Sequence, residues 1–348
     1  MDAVAQRPEA DPASREYDIA VANLQAAVGL PGAENLDIPR CLNWLDDAAR
    51  RVSLATLRCA HQFRIRPHEF HDSPAYFCML VLATVVYRDL GIRYNSARIR
   101  PPDANELNHY EPDYFDSRDY FIHGMIGGPG GTCASMPVLY VALGRRLGYP
   151  LKLARAKCHL FVRWDDPRGE RLNVEATCAG LLTYPDDHYK QWPLPMTSAE
   201  SQSTYWLHSL RPQEEVAAFR AGRALCLWTH GHWADALRET GVAGRLTPGS
   251  LFCLWQVKHL YKRYRTIMAT KTCEEIGRIG LSRQEEIALQ KCIVRVHEGR
   301  LREGLPGFDL AEFGVYPKPL AQRPWPALTT ALLTPAAATK PEQARCAC

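Results

Sequence analysis

A glycine-rich segment that leads into a cysteine is the feature of the sequence best suited to chemistry. Gly127-Gly128-Pro129-Gly130-Gly131 disfavours regular structure, and Thr132 and Cys133 follow it directly. Apolar residues then recur at intervals of three and four, which predicts a helix with Thr132 as its N-cap and Cys133 in its first turn. Free N–H groups at a helix start favour a thiolate, which is a nucleophile. Pro137 lacks the N–H that the Cys133 carbonyl would require, so some distortion of this turn is expected.

A base and a carboxylate follow in a predicted antiparallel hairpin. The three expected strands span residues 151–156, 158–164 and 171–177. His159 lies at the start of the second strand and Glu175 lies on the third, so the two can be neighbours across the pair. A thiol, an imidazole and a carboxylate in this order suit a nucleophile, its base and a residue that orients the base.

Each of these residues also has an ordinary structural interpretation. Cys133 alone is most simply a small buried residue, His159 a half-buried strand residue and Glu175 part of a solvated strand face. The combination of the three, in this order, favours the catalytic interpretation.

Three further residues are weaker candidates for an oxyanion or substrate contact. Asn95 follows a buried helix and is either an oxyanion donor or an ordinary turn residue. Thr132 adjoins the nucleophile. Asn173 shares a strand face with Glu175 and is the alternative residue for orienting His159.

The segment from residue 76 to residue 195 resembles the transglutaminase-like superfamily, which has a papain-like cysteine fold. The resemblance is carried by Gly131-Thr132-Cys133, His159 and Val174-Glu175-Ala176-Thr177. It implies an α+β papain-like core with an antiparallel sheet, and a cysteine enzyme that transfers acyl groups from amides through a thioester. Two positions depart from the family pattern. Glu175 replaces the usual aspartate, and Cys158 precedes the histidine where a glycine is expected, so Cys158 is a possible redox partner.

The similarity is greatest to a bacterial branch of this superfamily with a tetratricopeptide-like helical tail. The expected organisation is a disordered N-terminus, a catalytic domain, a helical tetratricopeptide-like region and a disordered tail, over residues 1–20, 37–200, 209–300 and 317–348. A single helix–turn–helix around Gly231 carries the tail assignment, and no second copy follows at a spacing of about 34 residues.

Charge and composition argue against several classes of partner. The chain of 348 residues has 42 basic and 38 acidic residues that are not segregated, which predicts no nucleic-acid binding. No apolar run approaches the roughly 20 residues of a membrane span, and no signal peptide is recognised, so a cytoplasmic location is expected.

Twelve cysteines are irregularly spaced without a CxxC pair. His68 and His71 lie between prolines in an expected loop, so no metal site and no cofactor are predicted.

The sequence therefore predicts a peptide or isopeptide hydrolase, or a transglutaminase, that acts on a peptide or protein amide. The helical tail is a possible docking surface for a protein partner. The alternative is a non-catalytic scaffold in which the same fold binds a protein through its cleft and tail. The choice between water and an amine as acyl acceptor, the substrate, the oligomeric state and modification of Cys346-Ala347-Cys348 are left open.

Overall fold

Helices surround one small antiparallel sheet. The computed structural model describes residues 17–98, 116–128, 130–167, 169–247, 251–307 and 309–313. Its α-helices are α1 (Ile19–Ala27), α2 (Ile38–Ile65), α3 (Pro74–Thr84), α4 (Ser117–Tyr120), α5 (Met136–Arg146), α6 (Asp186–Gln191), α7 (Ser198–Gln202), α8 (Pro212–Thr229), α9 (Trp233–Leu246), α10 (Leu251–Met268), α11 (Cys273–Ile279) and α12 (Arg283–Arg302). Its strands are β1 (Leu151–Ala156), β2 (His159–Asp165) and β3 (Arg171–Val174). This mixture of helices and one antiparallel sheet is compatible with the predicted α+β class, and the papain-like core stays a prediction.

The sheet places the predicted base and carboxylate on one face. Its order is β1-β2-β3, each strand antiparallel to the next. Arg163 of β2 lies opposite Asn173 of β3, and residues opposite each other share a face. Since side chains alternate along a strand, the side chains of His159 and Glu175 lie on that same face of the sheet.

Strand β3 is shorter than the sequence predicts, because the chain leaves β2 after Val174. Glu175 instead forms an isolated bridge with Leu182, and its N–H donates to the Leu182 carbonyl at 2.9 Å. The backbone of Glu175 is therefore held from the side opposite to β2.

Helix α5 forms the centre of the core, but it begins three residues later than predicted. Met136 is its first residue and every residue from there to Gly144 is buried. Cys133 lies in the preceding turn rather than in the helix. The physical reason is Pro137, which is accepted in a first helical turn because no N–H is needed there, but not one turn further in.

The helices before the glycine segment agree with the sequence prediction. The long amphipathic helix α2 begins after Asp37, whose side chain accepts from the Arg40 N–H at 2.9 Å. Helix α3 begins at Pro74 after the N-cap Ser73, and a π-helical segment, Val85–Asp89, continues it. Both helices pack against α5.

The C-terminal helices are joined to the core by a buried ion pair. Arg145 at the end of α5 donates to both carboxylate oxygens of Glu215 in α8, at 3.0 and 2.6 Å. The Glu215 side chain is fully buried. Helices α8 and α9 form the predicted helical hairpin, α1 and α4 pack against α8, and α10 and α12 pack against α9.

Several ordered segments are absent from the sequence prediction. Disorder is expected for residues 1–20, yet α1 begins at Ile19, and its N-cap Asp18 accepts from the Ala20 N–H at 2.7 Å. The sequence pattern also does not predict the short helices α7 and α11. Residues 1–16 and the expected disordered tail, 317–348, lie outside the described residues. Within the described ranges, no helix is both long and apolar enough to cross a membrane.

Candidate active site

The turn that carries Cys133 is fixed by two hydroxyl groups. Thr132 Oγ1 and Ser135 Oγ both donate to the Asp119 carbonyl oxygen at 2.8 Å. Thr132 Oγ1 also accepts from the Ala134 N–H at 3.2 Å, and Ser135 Oγ accepts from the Thr132 N–H at 3.0 Å. Cys133 forms no disulfide and is half-buried between these residues. Thr132 thus holds the turn through its side chain.

The glycines before the turn allow a close approach of two backbone segments. Gly130 has φ +116°, and a Cβ there would lie 2.6 Å from the Arg93 carbonyl oxygen. Gly131 donates its N–H to that oxygen at 2.9 Å and accepts from the Asn95 N–H at 2.8 Å. A side chain at Gly130 would therefore separate the two segments and move the cysteine turn.

Asn95 is buried in the support of this turn. Its Nδ2 donates to Asp119 Oδ1 at 2.8 Å, and its Oδ1 accepts from the Ala97 N–H at 3.1 Å. Arg98 Nε donates to the second Asp119 oxygen, also at 2.8 Å. The described contacts of Asn95 thus fix Asp119, and Asp119 in turn accepts from the two hydroxyls of the cysteine turn.

His159 lies between the predicted nucleophile and the predicted carboxylate. Its ring is fully buried, and Nε2 is 2.8 Å from Glu175 Oε2. The Cys133 side chain is a second hydrogen-bonding partner of the ring. Because Glu175 takes Nε2, we infer that Cys133 faces Nδ1. Burial acts to lower the pKa of His159, but the charges and hydrogen bonds of Glu175 and Cys133 outweigh it and raise the pKa to about 10.

Glu175 is anchored through both carboxylate oxygens. Oε1 accepts from the Thr177 N–H at 3.1 Å and from Thr177 Oγ1 at 2.6 Å. Oε2 accepts from His159 and, at 3.3 Å, from the Tyr189 hydroxyl. Burial acts to raise the pKa of Glu175, yet the neighbouring His159 and the Thr177 donors lower it below its ordinary value. The carboxylate therefore stays charged beside the imidazole.

Aromatic rings separate the His159–Glu175 pair from water. Trp192 meets the His159 ring edge-on, with centroids 4.7 Å apart and planes at 70°. Tyr189 stacks on Phe161 at 3.9 Å and lies 6.1 Å from the His159 ring. Few water dipoles reach the pair, so the charge–charge attraction within it is strong.

Tyr120 lies within electrostatic range of Cys133 and contacts the C-terminal helices. Burial raises the pKa of Tyr120, and negative charge on Cys133 raises it further, so the hydroxyl keeps its proton. The Tyr120 ring packs on Gly222 of α8, where an added Cβ would lie 2.4 Å from two ring carbons. The absence of a side chain at Gly222 thus makes room for this ring.

Asn173 belongs to a neighbouring network on the same sheet face. Its Oδ1 accepts from Arg163 Nε at 2.7 Å, and its Nδ2 donates to the Tyr184 carbonyl at 3.0 Å and to Asp186 Oδ1 at 2.8 Å. The fully buried Arg163 also donates to Asp186 at 2.5 Å. These bonds orient Asn173 towards Arg163, and the residue that contacts His159 is Glu175.

Cys158 differs from Cys133 in backbone conformation and in the state of its thiol. Its φ of +60° is in the left-handed region that favours glycine, which is the residue expected there. Although the residue is exposed as a whole, burial of its thiol and the charge of Cys133 raise the pKa of Cys158 to about 12. Cys158 therefore stays protonated at neutral pH and is the poorer nucleophile.

The described residues contain no group of three or more histidine, cysteine or acidic side chains placed to hold a metal ion. His230, one of the histidines at the α8–α9 turn, has Nδ1 2.8 Å from the Cys226 carbonyl oxygen.

Comparison of the chain with models of known families, with curated proteins and with solved structures finds no match.

The arrangement brings together a thiol, an imidazole and a buried carboxylate, a set of groups that can exchange protons. Sequence reasoning missed Thr177, Tyr189 and Trp192, which hold or cover the pair. Thr177 lies two residues beyond Glu175, a spacing that signals a local side-chain contact. The aromatic residues of 184–192 carry no such local signal, because their contact with His159 depends on how α6 packs.

Proposed function

We propose that the protein is a cysteine-dependent acyl-transfer enzyme that acts on amides. One observation carries the proposal: His159, fully buried, contacts Cys133 on one side and Glu175 at 2.8 Å on the other. A histidine held in this way keeps an imidazolium, and an imidazolium favours a neighbouring thiolate. Perturbed titratable groups of this kind concentrate at functional sites.

In the first half-reaction, His159 holds the proton of the Cys133 thiol, and the sulfur attacks the amide carbon. The oxyanion that forms accepts hydrogen bonds from the Cys133 N–H and from the Tyr120 hydroxyl. The imidazolium then gives its proton to the leaving amine, the C–N bond breaks, and a thioester remains on Cys133. Glu175 keeps the ring oriented and compensates its positive charge.

In the second half-reaction, water or an amine attacks the thioester carbon. His159 takes one proton from the attacking group, and the C–S bond breaks to release an acid or a new amide. The Cys133 thiolate and the imidazolium are restored, so the cycle needs no cofactor.

The resemblance to the transglutaminase-like superfamily supports the same proposal. The order of a helix after Cys133, a strand opened by His159 and a carboxylate after the next strand is what supports this resemblance. The proposed substrate is a peptide or protein amide, and the C-terminal helices are proposed to border the cleft or to dock a protein partner.

The test is the reactivity of Cys133 towards iodoacetamide from pH 5 to pH 9, with each alkylated cysteine mapped by mass spectrometry. We expect fast labelling of Cys133 at neutral pH in the wild type and in Cys158→Ser, and a large decrease in His159→Ala. Equal labelling of Cys133 and of the exposed Cys273 in the wild type would contradict the proposal and favour the non-catalytic scaffold.

A second experiment identifies the acceptor. A peptide library is incubated with the enzyme in the presence and absence of a primary amine, and products are read by mass. Hydrolysis gives shortened or deamidated peptides in both samples, whereas amine transfer adds the mass of the amine. If neither product depends on Cys133, as judged by Cys133→Ala, the proposed reaction is wrong.

A further inference from the structure

A cavity of about 220 Å³ borders Thr177 and has no part in the proposed reaction. Its walls come from the end of the α3 segment (Tyr87), from residues 92–94, from α5 (Met136 and Tyr140) and from residues 177–179. Thr177 connects it to the triad, because the Thr177 hydroxyl donates to Glu175 Oε1 at 2.6 Å. Engineered apolar cavities of about 150 Å³ bind benzene, so this cavity has room for one ring and a small polar group.

A tyrosine hydroxyl in the cavity wall makes no hydrogen bond to the described part of the protein. Tyr140 is 1% exposed and lines the cavity, and within the described residues its hydroxyl makes no hydrogen bond. Burial, and after it the charge of Glu175, raises the pKa of Tyr140, so the group remains a neutral donor. A ligand with an acceptor atom in the cavity could take the hydrogen bond that this hydroxyl is able to donate.

A cation lies at the rim of the same cavity. The Arg93 guanidinium stacks over the Tyr87 ring at 3.5 Å, and its Nη1 donates to the carbonyls of Tyr87 and Ile92. Its Nε and Nη2 donors are not used in these bonds. In the part of the chain that the structure describes, no carboxylate pairs with Arg93, and no acidic residue lines the cavity.

We propose that this cavity is a binding site for a small aromatic carboxylate. The ring would lie against Tyr94 and Met136, the Tyr140 hydroxyl would donate to the ligand, and the carboxylate would bind Arg93. Arginine donors match a carboxylate in both charge and geometry. The site rests on the cavity, the unpartnered hydroxyl and the rim cation, so it stands whether or not Cys133 is a nucleophile.

The test is calorimetric titration with benzoate and with benzamide, its uncharged analogue, on the full chain carrying Cys133→Ala. We expect benzoate to bind more tightly than benzamide. Arg93→Gln should weaken benzoate about tenfold or more, as expected for a charge-assisted hydrogen bond, and leave benzamide little changed. Tyr140→Phe should weaken both ligands. The exposed Arg88→Gln, on the preceding segment, is the matched control and should change neither.

Benzoate binding that is equal in the Arg93→Gln, Tyr140→Phe and Arg88→Gln proteins would overturn the proposal, as would the absence of benzoate binding to the folded chain. A second experiment, on the chain with Cys133 intact, asks whether the carboxylate is part of the substrate or a separate effector molecule. A benzoate joined to an iodoacetamide group should label Cys133 faster than iodoacetamide if the group belongs to the substrate. If the ligand is a free effector, the tether gives no acceleration, while free benzoate still binds.

Discussion

Replacement of Glu175 by glutamine should convert Cys133 from a paired thiolate into an ordinary thiol. In the wild type, the pKa of His159 is raised from 6.5 to about 10, which corresponds to about 5 kcal/mol in favour of the charged ring. Glutamine keeps the size and a hydrogen-bond acceptor but removes the negative charge at 2.8 Å from Nε2. Burial lowers the pKa of His159, and without the charge of Glu175 little remains to counteract this effect. We therefore expect the ring to become neutral near pH 7.

The magnitude follows from the ionisation of a thiol. With an imidazolium that persists from pH 6 to pH 8, the alkylation rate of Cys133 should be nearly constant over this range. A thiol of ordinary pKa, about 8.5, is ionised roughly 75-fold more at pH 8 than at pH 6. We therefore expect a ratio of rates near one in the wild type and of roughly 75 in Glu175→Gln.

The assay is the pseudo-first-order rate of iodoacetamide labelling at Cys133, with folding checked by circular dichroism. The matched control is Asp187→Asn, which removes a carboxylate that is 83% exposed on the same helix as Tyr189. It should retain the flat profile. A flat profile in Glu175→Gln would refute the reasoning, because the charge of Glu175 would then have no part in holding the imidazolium.

Three further outcomes are expected. Gly222→Ala should destabilise the fold by roughly 1–3 kcal/mol in urea unfolding, since its Cβ meets the Tyr120 ring, whereas Gly277→Ala, in open space, should stabilise it by about 0.5–1 kcal/mol. Tyr120→Phe should lower kcat by about 10²-fold with little change in KM. An unchanged kcat would exclude Tyr120 as a hydrogen-bond donor to the oxyanion. The folded pKa of His159 lies above its unfolded value, so its stabilising contribution is complete below pH 6.5 and is lost towards pH 10; His159→Gln should abolish that decline.

The hairpin could be predicted from the sequence because its signals are local. Alternating apolar residues define β1 and β2, the turn residues lie between β2 and β3, and a period of two places His159 and Glu175 on one face. The exact pairing of the strands agrees with that placement. For the same reason the existence of α2, α3 and α5, each a strongly apolar or amphipathic run, could be predicted.

The geometry around Cys133 could not be predicted, because its causes are distant in the sequence. The turn before α5 depends on the Asp119 carbonyl, which accepts from the hydroxyls of Thr132 and Ser135. A helix rule applied to Thr132 alone therefore places the helix start too early. In the same way the cover of His159 by Trp192 depends on the packing of α6 and not on any pattern near the histidine.

The packing around Tyr120 argues against a strict separation of the predicted catalytic domain from the predicted helical region. Gly222, in α8, contacts the ring of Tyr120, whose pKa responds to the charge of Cys133. Glu215, about two turns earlier in α8 and fully buried, needs the Arg145 guanidinium of the core helix, since a buried carboxylate without its partner is strongly destabilising. Both contacts would be lost in a chain ending at residue 209. The helices from α8 onward therefore shape the candidate site even though all three triad residues precede them.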